Sequence, residues 1–215
     1  MINNDDINKW KNEGYFIGKN ILDNDLLLDS NKLMNNMYNN GNLSVKDFGS
    51  EGKLEFPSNT IIDDISINEN IINIVQKLLN TDDILLVQAD AWGKKGTNDY
   101  SEQSNNDQRM HMDYGNNTFL HPSPWNDPES VAMIIYLSNI NDTLGGTSIV
   151  PRKGFDDELY QMPYKNMPGI ATNPFFNDKN KAETYFESND KDVYEFRQKL
   201  YEKEIILKPN MGDIL

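Results

Sequence analysis

Hydrophobic spacing in this chain switches from a helical period to a strand period after Leu79, and that switch limits the folds open to it. Over residues 67–79, Ile71, Ile72, Val75, Leu78 and Leu79 recur at helical spacing and predict an amphipathic helix. Residues 22–38 predict another, with Leu26, Leu33 and Tyr38 among its apolar positions. The Asn-rich stretch 35–42 reads as its end and a loop. A short helix is expected over 7–10, followed by Gly14 and the strand-like Tyr15-Phe-Ile-Gly18. Beyond Leu79 come short β-rich runs with turn residues between them: Ile84-Leu-Leu-Val87, Met133-Ile-Ile-Tyr-Leu137 and Ser148-Ile-Val150. Gly145-Gly146 marks a tight turn. Residues 182–186 and 193–201 read as helix, and Glu204-Ile-Ile-Leu-Lys208 as strand. Pro209-Asn-Met-Gly212 reads as a turn, and Asp213-Ile-Leu215 as the start of a further strand. Helices first, then a strand-rich region with one helical insertion, fit a mainly β, cupin-like jelly roll.

Composition narrows the function classes. The 215 residues suit one domain with a sizeable core, and aromatic residues are plentiful. A net charge of −14, with no offsetting Lys/Arg cluster, disfavours nucleic acid as a partner. No run of 18 apolar residues is present, so no membrane partner is expected. The N-terminal stretch lacks the basic and apolar regions of a signal peptide. With no cysteine, thiolate ligands, disulfides and a cysteine nucleophile are excluded. A cytoplasmic location and a small-molecule substrate are the expectation. Three glycosylation sequons, at Asn42, Asn116 and Asn141, are chance matches in so Asn-rich a chain.

The chemistry-bearing motif is His111-Met112-Asp113. On a strand, side chains two residues apart share a face, so an imidazole and a carboxylate at this spacing can grip one metal ion. Two members of the 2-His-1-carboxylate triad of non-haem Fe(II) oxygenases have this form. The chain holds only one other histidine, His121, in the Pro-rich run Phe119-Leu-His-Pro-Ser-Pro-Trp125. It reads as a loop residue near a pocket mouth rather than a substitute ligand.

Four landmarks now stand in order: Gln108-Arg-Met-His-Met-Asp113, Ala132-Met-Ile-Ile-Tyr-Leu-Ser138, Gly145-Gly-Thr-Ser-Ile-Val-Pro151 and Pro209-Asn-Met-Gly-Asp213. With the opening Trp10-Lys-Asn-Glu-Gly-Tyr-Phe16, they resemble the phytanoyl-CoA dioxygenase family over most of the chain. That family comprises Fe(II)- and 2-oxoglutarate-dependent oxygenases on a double-stranded β-helix, here with N-terminal helices packed on one sheet. The resemblance implies His111 and Asp113 as iron ligands. It also implies Gln108 and Thr147 as contacts to 2-oxoglutarate, although strict alternation sets Gln108 opposite His111 unless the strand bends. Gln88, on the preceding strand, is a further cofactor candidate if its side chain faces the interior; burial against a backbone partner is the plainer reading. Retention of the carboxylate ligand favours hydroxylation over the halogenation carried out by related enzymes that lack it.

By the same resemblance, the third iron ligand and an arginine for the distal carboxylate of 2-oxoglutarate lie beyond Leu215. The chain is therefore expected to be part of a longer protein, lacking C-terminal strands and inactive as it stands. Arg152 occupies the wrong landmark for that arginine and reads as a surface residue. Trp92, Trp125 and Tyr136 are candidates for a pocket lining, with core packing the commoner role. Two other readings stay open: a non-catalytic jelly-roll binding module, and a 2-oxoglutarate-independent cupin enzyme.

Overall fold

The computed structural model describes residues 2–40, 53–93, 110–111, 130–143, 146–154, 157 and 179–215. The elements run α1 (Asn4–Glu13), α2 (Asn24–Asn39), β1 (Leu54–Glu55), α3 (Ile62–Ser66), α4 (Glu69–Leu79), β2 (Asp90–Ala91), α5 (Ile140–Thr143), β3 (Ser148–Ile149), α6 (Lys179–Asn189), α7 (Lys191–Tyr201) and β4 (Ile205–Ile206).

Asn and Asp side chains start the longer helices. Asn3 accepts from the Asp5 and Asp6 amides, and the Asp6 carboxylate reaches back to the Asn3 amide at 2.9 Å, a reciprocal capping box. Asp23 caps α2, Asn68 caps α4 and Asp190 caps α7 in related ways. At the other end of α1, Gly14 adopts φ 82° and returns its N–H to the Trp10 carbonyl. The acidic, Asn-rich composition is thus spent partly on helix entry.

The main core follows the helical spacing of α4. Ile71, Ile74 and Leu78 are buried on one face, with Ile72 and Val75 half-buried beside it. They pack with Leu27 of α2 and with Phe16, Ile21, Leu22, Ile65 and Ile214. A smaller cluster joins Met34 of α2 to Ile62 of α3, and a third, between α6 and α7, holds Ala182, Phe186 and Val193.

The expected mainly β jelly roll, or double-stranded β-helix, is not what forms. Helix accounts for 47% of the described residues and strand for 8%, the latter in two two-stranded antiparallel sheets and two isolated bridges. β1 pairs with β2, and β3 pairs with β4. The run Ile84-Leu-Leu-Val87, read as strand, forms no ladder and is largely exposed, Leu85 at 85%. Four aliphatic residues satisfy a strand pattern equally well with or without a neighbour to bond to, and only pairing makes the strand.

Residues 213–215, read as the start of a further strand, make isolated bridges on both sides. Gly18 and Ile214 exchange N–H···O bonds at 2.8 and 3.0 Å. Opposite them, Ile134 and Leu215 exchange bonds at 2.9 Å, and Tyr136 donates to Asp213. The turn that feeds this strand needs Gly212: it sits at φ +87°, and a Cβ there would lie 2.7 Å from Leu27 Cδ1.

Candidate functional site

Of the motif residues, His111 is described and half-buried; Asp113, Gln108, His121 and Trp125 lie outside the described residues. Among the described residues no three His, Asp or Glu side chains come together as a ligand set. In chemical type, an imidazole and a carboxylate such as those of His111 and Asp113 are donors that suit divalent iron.

What holds the chain at His111 is a polar cluster built on α6 and α7. In α7, Val193, Phe196, Arg197 and Leu200 form the buried stripe, so Arg197 stands at a position that periodicity reserves for an apolar side chain. Its side chain is fully buried, and its Nε donates to Glu183 Oε1 of α6 at 2.6 Å. Its Nη2 donates to the Tyr201 hydroxyl and to the Met110 carbonyl, both at 3.1 Å. The Tyr201 hydroxyl in turn donates to Glu183 Oε1 at 2.9 Å and accepts the Met110 N–H at 3.2 Å. Gln198 takes the second carboxylate oxygen at 3.1 Å.

Aromatic faces complete the cage. The guanidinium lies 5.4 Å from the Phe186 ring centroid and 5.9 Å from that of Tyr201. Lys179 sits over the Tyr201 ring at 4.3 Å and pairs with Glu204 at 3.8 Å. Burial pushes the Tyr201 phenol up to about 12; Arg197 opposes that rise and Glu183 adds to it. The phenol therefore stays protonated across the neutral range and keeps its donor role.

Thr147 belongs to a second polar group. Its hydroxyl accepts from the Tyr136 phenol at 2.8 Å, and its carbonyl accepts the Leu207 amide. Burial raises the Tyr136 phenol, the Thr147 bond works against that, and the nearby Asp213 carboxylate adds to it. Asp213 is buried and bonds back to the Asn210 amide across the turn. Thr147 and the Gly212-Asp213 landmark, distant in sequence, thus both bond to Tyr136.

Gln88 is placed elsewhere. It is exposed rather than buried against backbone, and its amide donates to Asp90 Oδ2 at 2.5 Å. Asp90 in turn pairs with Lys53 at 3.0 Å. Trp92 is 38% exposed and Tyr136 half-buried. Arg152, read as a surface residue, is 3% exposed. Its guanidinium donates to the Lys11 carbonyl and its amide to that of Glu13, while Gly154 donates to Asn12. The last turn of α1 leaves carbonyls without helical partners, and a cation at that end is favoured by the helix dipole.

Arg197, Glu183 and Tyr201 were not among the sequence candidates. The signal that finds them is the charged residue inside an otherwise apolar stripe, since a cation placed there needs a buried partner. No protein-family model matches this chain, and no curated protein does either.

Proposed function

We propose that the protein is an Fe(II)- and 2-oxoglutarate-dependent dioxygenase that hydroxylates a small organic substrate, with His111 and Asp113 as two of its iron ligands. The observation that carries this reading is the His111-Met-Asp113 motif, whose donor types and spacing suit divalent iron. It is supported by the anchoring of the chain immediately before His111 and by the convergence of Thr147 with the Gly212-Asp213 turn. The mainly β barrel of the family resembled is no part of the proposal. A cytoplasmic setting is part of it; among the described residues no helix is long and apolar enough to cross a membrane.

The cofactor pair supplies the oxidising power: one atom of O₂ enters the substrate as a hydroxyl, and the other enters succinate as 2-oxoglutarate loses CO₂. The protein's own residues do the rest. His111 and Asp113 hold the metal, while Gln108 and Thr147 contact 2-oxoglutarate. The Tyr136 hydroxyl, protonated because burial raises it, donates to Thr147 and fixes which way that hydroxyl's own proton points.

The test is Fe(II)-dependent formation of succinate from 2-oxoglutarate under O₂, with the full-length protein. His111→Ala and Asp113→Ala each abolish turnover and metal binding. Replacing Gln108 and Thr147 together with Ala weakens 2-oxoglutarate binding; unchanged affinity removes them from the site. A wild-type protein that binds neither metal nor 2-oxoglutarate refutes the reading in favour of a non-catalytic binding module.

A further inference from the structure

We propose that Arg197 and Tyr201, braced by Glu183, are positioning residues for His111: they fix the Met110 peptide and so the direction in which His111 leaves the backbone. This rests on reading His111 as a metal ligand. The Met110 N–H is held by the Tyr201 hydroxyl at 3.2 Å, and the Met110 carbonyl by Arg197 at 3.1 Å. That carbonyl and the His111 N–H belong to one planar unit, so gripping the carbonyl sets the plane from which His111 departs. In a sheet, a neighbouring strand does this. Here two side chains one helical turn apart on α7 replace the ladder.

The two grips are not independent. Glu183 Oε1 takes Arg197 at 2.6 Å and Tyr201 at 2.9 Å, so one carboxylate locks both rotamers. Arg197 Nη2 spans Met110 and Tyr201 and closes the ring. The guanidinium presents its donors from two nitrogens in a fixed fork, Nε to Glu183 and Nη2 to Tyr201 and Met110; a lysine's three donors radiate from one nitrogen and lack that geometry.

The cluster is poorly explained by stability alone. A buried ion pair is often matched or bettered by apolar side chains of similar volume, and α6 and α7 already share the Ala182–Phe186–Val193 cluster. What apolar residues cannot supply is a fixed orientation for a particular peptide. A metal ligand needs that to within about 0.5 Å.

The experiment uses Co(II) alone as the probe, in the full-length protein, reading its dissociation constant and ligand-field absorption. Tyr201→Phe removes one hydroxyl. The double variant Glu183→Met with Arg197→Met removes both charges without stranding either. Both are expected to weaken Co(II) binding about tenfold or more and to shift the absorption band, as loss of ligand-orienting partners does elsewhere. Leu78→Ala, in the main core, lowers the melting temperature and leaves Co(II) affinity unchanged at temperatures where it is folded.

A second readout needs no metal. With two histidines in the chain, the imidazole NMR signals separate readily, and Tyr201→Phe is expected to move that of His111 and not that of His121. Wild-type affinity in both variants together with an unmoved His111 signal overturns the proposal. If wild type binds Co(II) no better than His111→Ala, the iron reading fails. The NMR comparison then decides positioning alone: a moved His111 signal sustains it and an unmoved one refutes it.

Discussion

The core around α4 and the core between α6 and α7 are built on opposite principles. In the first, Ile71, Ile74 and Leu78 meet other apolar side chains, and the order of contacts matters less than the volume filled. In the second, Arg197, fully buried, is satisfied only by partners at fixed positions: Glu183, Tyr201 and the Met110 backbone. The first kind of core tolerates exchange of side chains of similar size. The second specifies an arrangement, and it is the one that touches the chain beside His111.

The largest effect that separates them comes from Arg197→Met. It leaves the Glu183 carboxylate, 14% exposed, with only the neutral donors of Tyr201 and Gln198 and no counter-charge, and is expected to cost about 3 kcal/mol in urea unfolding. Adding Glu183→Met to Arg197→Met should recover most of that loss. If the double variant is as unstable as the single one, the ionic core is a stability device and the contrast breaks.

In the apolar core, Leu78→Ala is expected to cost about 2–5 kcal/mol, since Leu78 is 1% exposed. Here a second truncation at Ile74 should deepen the loss rather than relieve it. Recovery on the second change would erase the distinction.

A smaller effect tests the helix entries. Asn3→Ala removes the acceptor for the Asp5 and Asp6 amides and should cost about 1 kcal/mol, read as a lower urea midpoint with unchanged slope. An equal loss in the Co(II) affinity of the α6–α7 side would show that the two regions are coupled more tightly than their separate clusters imply.

A further effect is confined to alkali. The Tyr201 phenol is raised in the folded protein to about 12 from an ordinary 10.0, so its contribution is whole below pH 10. It is lost as pH climbs from 10 towards 12, because the unfolded chain ionises first. Tyr136 and Tyr38, both raised by burial, act in the same direction. Tyr201→Phe should flatten the alkaline fall in stability, whereas Leu78→Ala should lower the whole curve without changing its shape. Stability curves for wild type and both variants between pH 8 and 12 check this.

What was legible follows from the same contrast. Helical spacing located α4, because an apolar stripe is written locally, every third or fourth residue; 22–38, 182–186 and 193–201 also read as helix, where α2, α6 and α7 form. Ser148-Ile-Val150 and Glu204-Ile-Ile-Leu-Lys208 read as strands, and they contain β3 and β4, which pair with each other. The barrel was not legible, because Ile84-Leu-Leu-Val87 carries the pattern of a strand and finds no ladder. Burial of cations escaped as well. Arg152 is drawn inward by the carbonyls of α1, and Arg197 by a carboxylate on α6; neither partner is adjacent in sequence. His111 was legible as a motif, but what grips Met110 before it was not, since α7 lies far along the chain.

The pairing of Gly18 with Ile214 has a consequence for how the molecule comes to be folded. Ile214 sits at the centre of the main core, 2% exposed, between segments that the chain visits early and in its middle. Closing that contact confines a loop spanning most of the chain before the bonds it makes can offset the lost freedom. The capped helices α1, α2 and α4 can form and associate quickly on their own, but they wait for Ile214 to fill the space between them. Folding should therefore be slower than that of a helical chain whose contacts are all local. Until then the apolar face of α4 is open to association with other chains.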